Sequence, residues 1–442
     1  MRETIFALAT PPGQSAIAVF RLSGDKSAII AEALSGKLHR HRYLTPSLLK
    51  DEGGAPLDDA MMVYLQAPQT PTGEDVLEIH CHGSLSVIDA ITNYLARQDG
   101  VRLARAGEFT KRAFDNGKMD LTEVEGLADL IASQTDSQRR QALGQLKGQI
   151  RRQAMAWRQE IITLSGRLES VIDFSDEELP DTVLADILEK RSALIQDLAT
   201  SLDDEGRGEI IRNGLQVALL GPVNAGKSTA LNALAGRPAA IVSDEAGTTR
   251  DIVEVRLDID GIAVILQDTA GIRDEAGHVE SIGIARAKQA ASEADLVIII
   301  ADGAQSDWHK ESSAIAESID GPVIYIVNKA DRLVGDVHGT GFMPLCLHDD
   351  KDVERLENLL AEAIKPLNHD GTAPLITRHR HRSLITKALD ALQASCAANM
   401  EDAPELVAED LRVAADALGQ MTGHIDVEDI LGDIFSSFCI GK

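Results

Sequence analysis

The stretch Gly221-Pro-Val-Asn-Ala-Gly-Lys-Ser228 decides the fold. In front of it stands Leu215-Gln-Val-Ala-Leu-Leu220, an apolar run that reads as a buried parallel strand. Behind it Thr229-Ala-Leu-Asn-Ala-Leu-Ala235 reads as the start of a helix. Strand, Gly-x-x-x-x-Gly-Lys-Ser and helix, in that order, describe a phosphate-binding loop rather than a plain Gly-rich turn. The glycines let backbone N–H groups turn inward around an anion, and the helix adds the positive end of its dipole. Lys227 is expected to reach the β- and γ-phosphates, and the Ser228 hydroxyl to bind Mg²⁺.

Downstream, three further signals follow in a fixed order: Gly247-Thr-Thr-Arg250, Asp268-Thr-Ala-Gly271 and Asn328-Lys-Ala-Asp331. Asp268 follows the strand-like run Ile262–Gln267, so it sits where open α/β sheets bind ligands, and it is expected to hold Mg²⁺ directly or through water. Asn328 follows another such run, Val323–Val327. The Asp331 carboxylate can accept from both N1–H and the exocyclic amine of guanine; adenine presents no such donor pair. Alone, Asn-Lys-Ala-Asp is a weak signal, because an Asp on a turn is usually a cap. In sequence with the other three it selects GTP over ATP.

Two positions near this site carry mechanism. Ras-like GTPases place a Gln after Asp-x-x-Gly to orient the attacking water; here Ile272 stands there, so another group must act, and the acidic segment Arg273–Gly283 offers Glu275 and Glu280. Asn224, inside the phosphate loop, either serves ordinary turn chemistry or faces a cation that bridges the phosphates in place of an arginine finger.

Outward from this block the chain divides. Residues 1–118 read as a small α/β or α+β domain with strands near Thr4–Ala9, Ala16–Arg21, Asp59–Leu65 and Val76–Cys81. Ser84 N-caps a helix that continues to Arg97, and the polar stretch Arg105–Phe114 reads as a functional loop running into a helix. Helical spacing then fills 119–212: one long helix or two in succession from Met119 to Phe174, then Pro180–Leu202, then a linker at Asp203–Gly208. Strands and helices alternate over 213–366. Helical spacing returns in 367–442, at Ser383–Met400, Pro404–Gln420 and Val427–Phe438. The expected fold is an α/β P-loop GTPase domain inserted into an all-α helical domain, preceded by an α+β domain.

Bulk composition limits the partners. The 442 residues hold 43 Lys and Arg against 70 Asp and Glu, a net charge of −27. Such a chain does not coat nucleic acid by general electrostatics; RNA contact needs a local basic patch or a partner. Arg139-Arg140, Arg151-Arg152 and Thr377-Arg-His-Arg-His-Arg382 are the candidate patches, although charge runs are more often solvated faces. Cys81, Cys346, Cys396 and Cys439 are widely spaced, with no disulfide or zinc pattern, which points to a reducing, cytoplasmic setting. His80-Cys-His82 alternates along a strand, sending the two imidazoles one way and the thiol the other, a poor start for a metal site. No run reaches membrane-spanning length.

Motifs in all three regions give the whole chain a resemblance to the tRNA-modification GTPases called MnmE or TrmE. They are Ala9-Thr-Pro-Pro-Gly13, Arg21-Leu-Ser-Gly24, Thr72-Gly-Glu-Asp-Val-Leu-Glu-Ile-His80, Gly107-Glu-Phe-Thr-Lys-Arg-Ala-Phe114, Asn116-Gly-Lys-Met-Asp-Leu121 and the terminal Cys439-Ile-Gly-Lys442. The resemblance implies that residues 1–118 bind folate and dimerise, that GTP hydrolysis is stimulated by K⁺ when two GTPase domains meet, and that the homodimer joins a flavin-containing subunit of the MnmG (GidA) type in a heterotetramer. Together they would add an aminomethyl or carboxymethylaminomethyl group to C5 of the wobble uridine of certain tRNAs. A folate, 5-formyltetrahydrofolate or methylenetetrahydrofolate, would bring the one-carbon unit.

Carried over by position, the resemblance makes Asn224, Ser243, Glu245 and Thr248 ligands of K⁺, with Glu245 acting through its carbonyl, and Ser228 and Thr249 ligands of Mg²⁺. Glu280 becomes the residue that positions the attacking water; Lys227 and Asp268 complete the catalytic set. The implied GTP contacts are Asn224, Ala225, Gly226, Lys227, Ser228, Thr229, Ser243, Asp244, Glu245, Ala246, Gly247, Thr248, Thr249, Asp268, Thr269, Ala270, Gly271, Asn328, Lys329 and Asp331. Arg21, Glu78, Lys118 and Lys442 become folate contacts, a carboxylate for the pterin and cations for the glutamate tail. Without the resemblance, Lys118 reads as a solvated charge and Glu78 as a pair within the fold. Cys439 is either packed as a small hydrophobe or brought to the folate site for a redox or chemical role. One departure stands out. The guanine-closing segment, usually Ser-Ala with a Gly-bearing turn, is here Leu345-Cys-Leu-His-Asp-Asp350, leaving the N–H of Cys346 or Leu347 to meet guanine O6. The alternative to this whole reading is a regulatory or ribosome-assembly GTPase acting as a nucleotide switch.

Overall fold

The structure, a computed structural model, describes residues 2–37, 39–173, 181–204, 206–241, 254–268, 291–317, 319, 321–368, 374–397, 403–423, 435, 438 and 441. In chain order it opens with β1 (Thr4–Leu8), β2 (Ser15–Ser23), α1 (Ser27–Ser35), β3 (Thr45–Lys50), β4 (Pro56–Leu65), β5 (Val76–Gly83), α2 (Leu85–Ala96), β6 (Val101–Leu103) and α3 (Glu108–Asp115). These strands form one sheet in the order β3-β4-β5-β2-β1-β6, antiparallel except for the β1–β6 pair. Alternation along β1 sends Phe6 into one core with Phe20, Leu22, Leu34, Ile79 and Leu95, while Ile5 and Ala7 join Phe109 in another. Ser84 caps α2 as expected, accepting from the Val87 N–H.

The polar stretch before Phe114 is a helix start with a structural task. Arg112 is 4% exposed; it donates to the Glu74 carboxylate at 2.8 Å and to the carbonyls of Ser23 and Glu3 at 3.2 and 2.7 Å. A buried guanidinium is tolerable only with such a full set of acceptors.

Between Met119 and Phe174, where one or two helices are expected, there are three: α4 (Leu121–Ala132), α5 (Asp136–Leu146) and α6 (Gln149–Asp173). Asp120 and Glu123 open α4 as a reciprocal capping pair: Asp120 Oδ1 accepts from the Glu123 N–H at 2.8 Å, and Glu123 Oε2 accepts from the Asp120 N–H at 2.9 Å. The α4–α5 break is held by Gln138, whose Oε1 accepts from the N–H groups of Gln134 and Thr135 at 2.9 and 3.2 Å. The α5–α6 break turns on Gly148 at φ 74°, a left-handed conformation that glycine adopts without a Cβ penalty.

Next come α7 (Asp181–Leu202), α8 (Arg207–Asn213), β7 (Leu215–Leu220), α9 (Lys227–Ala235), β8 (Glu254–Ile259), β9 (Ile262–Asp268), β10 (Leu296–Asp302), α10 (Trp308–Ala316), β11 (Val323–Asn328), β12 (Met343–Pro344) and α11 (Asp350–Ile364). Their sheet runs β12-β11-β10-β7-β9-β8, parallel except for β8 against β9. Every residue of β10 is buried, as a parallel strand covered on both faces requires. Val217 and Leu219 of β7 face one core with Leu231, Ile298 and Leu356; Ala218 and Leu220 face the other with Ile299 and Trp308. The chain ends through α12 (His379–Ala394) and α13 (Pro404–Thr422), and α13 packs along α6. The expected helix at Val427–Phe438 lies outside the described residues apart from Phe435 and Phe438.

The chain resolves into two compact units: residues 1–128 with 145–187 and 390–442, and residues 129–144 with 188–389. The second holds the parallel sheet. Within it, Asp129 Oδ1 accepts from Arg212 at 2.9 Å, just before β7, and from Arg378 at 2.7 Å, just before α12. Among the described helices, none is long and apolar enough to cross a membrane.

Candidate functional site

β7 is central in its sheet, and the strands that follow it in sequence lie on both sides: β9 on one, β10 on the other. The carboxyl end of β7 is therefore a topological switch point, the place where open α/β sheets leave a crevice for a ligand. Gly221–Gly226 turns there. Asp268 closes β9 beside Leu219, so it reaches the same edge. β10 and β11 end there too, at Asp302 and Asn328, which are register partners.

The loop is shaped to hold an anion. Asn224 stands in the left-handed region at φ 65°, and Gly226 at φ 103°. A Cβ on Gly226 would come within 2.1 Å of the Asn328 carboxamide nitrogen, so the loop can lie against Asn328 only because the position is glycine. Ala225 is buried; Lys227, Ser228 and Thr229 form the first turn of α9, where N–H groups lack helical acceptors. The Lys227 ammonium rests on the loop's own carbonyls, Gly221 O at 2.8 Å and Pro222 O at 2.9 Å. It thus spans the mouth of the loop rather than projecting away from it.

The Asn328-Lys-Ala-Asp331 motif is tied to this loop. Asn328 is 4% exposed; its Nδ2 donates to Ala225 O at 2.9 Å and its Oδ1 accepts from the Leu347 N–H at 3.1 Å. Lys329, left-handed at φ 60°, donates to Asn224 O at 3.0 Å and to Asp302 Oδ2 at 2.7 Å. Asp331 keeps an exposed carboxylate, with Arg332 3.4 Å away. In the departed closing segment, the Cys346 N–H donates to Asp352 Oδ2 at 2.7 Å. Both N–H groups considered for guanine O6 therefore have partners within the protein, and a guanine would share or displace the Asn328 bond at Leu347. These groups fit a guanine nucleotide: a backbone cradle, a cation at its mouth and an open carboxylate at the far end. Asp302 was not foreseen, although its place at the end of an apolar run parallels that of Asp268.

Ser243, Asp244, Glu245, Ala246, Gly247, Thr248, Thr249, Thr269, Ala270, Gly271 and Glu280 lie outside the described residues, as do Cys439 and Lys442. Among the expected K⁺ and Mg²⁺ ligands the structure thus describes Asn224, Ser228 and, as the last residue of β9, Asp268.

In the N-terminal sheet, β2 and β5 place Arg21 opposite Glu78. The Arg21 Nε and Nη2 both donate to Glu78 Oε1, at 2.9 and 2.8 Å, and His80 Nε2 stands 3.6 Å from Glu78 Oε2. Two residues assigned separate folate contacts are thus partners of each other, and both remain partly exposed. Lys118 lies over the Gly73 turn, where a glycine Cβ would meet its Cε at 3.1 Å. Gly441 abuts β1, leaving a Cβ only 2.5 Å from Leu8 O. Along β5, Cys81 is buried and His82 pairs with Asp58 at 2.8 Å. Burial pushes the Cys81 thiol up to about 11.

Of the candidate basic patches, Thr377–Arg382 is largely spent inside its own unit. Arg378 holds Asp129, Arg382 bonds Asp204 and Leu202 O, and His381 is fully buried. Arg139 and Arg140 both pair with the exposed Asp136.

Two family models match nearly the whole chain. Residues 4–118 match the GTP-binding protein TrmE N-terminus, and residues 121–439 match the MnmE helical domain. The chain belongs to the MnmE family of tRNA modification GTPases. The tRNA modification GTPase MnmE of Paramagnetospirillum magneticum is 43% identical over 447 residues, covering 100% of both chains. That of Parvibaculum lavamentivorans is 45% identical over 444 residues, again covering 100% of both. Membership of the MnmE family gives the phosphate loop its nucleotide: this is a GTP-binding domain and the enzyme is a GTP hydrolase.

Proposed function

We propose that this MnmE-family GTPase is stimulated by K⁺ and works with a flavin-containing MnmG-type subunit on tRNA. The pair adds an aminomethyl or carboxymethylaminomethyl group to C5 of the wobble uridine, taking the one-carbon unit from a folate. Residues 1–118 bind the folate and dimerise; 119–212 and 367–442 form the helical domain; 213–366 form the GTPase domain. The work is done in the cytoplasm by a heterotetramer of two copies of each subunit.

Full-length identity to enzymes named tRNA modification GTPases is the observation that carries this reading. The local chemistry agrees with it. Asn224, in a left-handed turn with its carbonyl held by Lys329, has a side-chain oxygen available to a monovalent cation at the phosphate loop. Such a cation would supply fixed positive charge where negative charge develops during phosphoryl transfer. Mg²⁺ would be held by Ser228 and Thr249, and Glu280 would orient the attacking water in the role that Ile272 cannot fill. The Arg21–Glu78 pair offers a carboxylate and a guanidinium to a pterin and its acidic tail.

Mass spectrometry of wobble uridine in cells lacking the protein tests the proposal. The wild-type gene should restore the modified nucleoside and Glu280→Ala should not. Wobble uridine that is fully modified in the deleted cells would end it.

A further inference from the structure

We infer that Asp302 is a positioning residue for nucleotide binding: it holds the Lys329 ammonium on the phosphate loop and so makes guanine recognition and phosphate binding one rigid unit. The inference rests on Lys329 lying beside the bound nucleotide, as its place in Asn-Lys-Ala-Asp implies.

The geometry is specific. Asp302 is the last residue of β10 and is 5% exposed. Its Oδ2 accepts from Lys329 at 2.7 Å, and its Oδ1 accepts from the Ala304 N–H at 3.1 Å, so both oxygens are fixed. The backbone reinforces this. Gly303 N–H donates to Asn328 O at 2.9 Å, and the Val334 N–H donates to Gly303 O at 2.7 Å. The turn that carries Asp302 is therefore bolted to the turn that carries Lys329. From there the ammonium reaches Asn224 O at 3.0 Å, inside the phosphate loop.

A lysine is a flexible stem with a strongly hydrated head, and leaving it in one rotamer costs entropy. Two acceptors, one of them a buried carboxylate, remove that freedom before the nucleotide arrives. The Asn224 carbonyl is pinned at the same time, which fixes a left-handed turn that the loop needs. Without Asp302 the ammonium would lose its buried acceptor, and the Asn224 carbonyl would lose its link through Lys329 to the end of β10.

Because the Asp302 side chain reaches the phosphate loop through Lys329, a double-mutant cycle separates positioning from mere fold support. The reading is the dissociation rate of a fluorescent GDP analogue from the full-length protein. Asp302→Asn should speed release on the order of tenfold, the scale of one lost hydrogen bond to a charged group. Lys329→Met should do at least as much, and the double variant should release no faster than Lys329→Met alone. Additive effects, or unchanged release from Asp302→Asn, would overturn the inference. If Lys329→Met itself left release unchanged, the assignment of Lys329 to the nucleotide site would fail, and the inference with it. Should Asp302→Asn prove insoluble, Asp302→Glu moves the charge by one methylene and takes its place. Faster release then supports the role and wild-type release refutes it.

Discussion

The Asn328 carboxamide donates to the Ala225 carbonyl at 2.9 Å, joining the end of β11 to the middle of the phosphate loop. Its oxygen takes the Leu347 N–H, so one buried side chain ties together three segments at the carboxyl edge of the parallel sheet. Each such bond contributes roughly 0.5–1.5 kcal/mol net, and a buried group left unsatisfied costs more. Asn328→Ala should therefore destabilise the nucleotide-free GTPase domain by about 1–3 kcal/mol, read as a lower urea midpoint. GTP affinity should fall with it. Unchanged unfolding would mean that the two bonds are not made in solution.

Asn224 carries the prediction about cations. Its φ of 65° presents the loop backbone toward Lys329 and leaves the side chain exposed. If K⁺ sits there, turnover of GTP at equal ionic strength should be faster in K⁺ than in Na⁺, because the site must fit the ion and not only its charge. Asn224→Ala should erase that preference while GDP still binds. Equal wild-type rates in the two salts would remove the cation from the mechanism.

Across β2 and β5, Arg21 and Glu78 share one bond pair, so neither acts alone. Arg21→Met leaves the carboxylate without its closest cation, and Glu78→Gln leaves the guanidinium with a weaker acceptor. Each should weaken 5-formyltetrahydrofolate binding by roughly tenfold, as expected for a lost charged hydrogen bond. Calorimetry on the double variant should show less than the sum, since the residues touch. Wild-type affinity in both single variants would place the folate elsewhere.

How much of this could be read in advance depended on distance along the chain. The phosphate loop and its flanking strand and helix are local, and Gly221–Ser228 encodes them by spacing alone. β7 and β11 are legible as apolar runs, because a strand covered on both faces has no polar alternation to confuse it. The α4–α5 break was not, since Gln138 creates it by folding its side chain back onto Gln134 and Thr135. β3 hid behind Pro46, which only an edge strand tolerates. α1 was overlooked although Ile30, Ala31 and Leu34 carry a helical stripe. Partnerships across many residues were beyond reach: Arg112 with Glu74, Arg21 with Glu78 and Lys329 with Asp302 exist only once strand register is set. The same reason makes Thr377–Arg382 look like a basic patch in the sequence, while the fold supplies Asp129 and Asp204 to neutralise it.

Glu108, at the first turn of α3, gives a pH prediction with a definite sign. Burial pushes its pKa upward. The Arg102 guanidinium, at 2.6 and 2.9 Å, and the Arg105 N–H, at 2.9 Å, outweigh that and hold it at about 2. Arg112 adds attraction from 3.6 Å, and Arg102 is itself shared with Glu3 at 3.0 Å. An unfolded glutamate titrates near pH 4.3. The folded form therefore binds its proton less readily than the unfolded chain, and its stabilising contribution is complete above about pH 4.3. It is lost as the pH falls from there toward 2. Urea midpoints of the wild type should drop over that interval more steeply than those of Glu108→Gln, which has no carboxylate to protonate. At pH 7 the variant should be the less stable of the two, and the difference should shrink on acidification. Parallel curves for the two proteins would show that Arg102 and Glu108 are not coupled in solution.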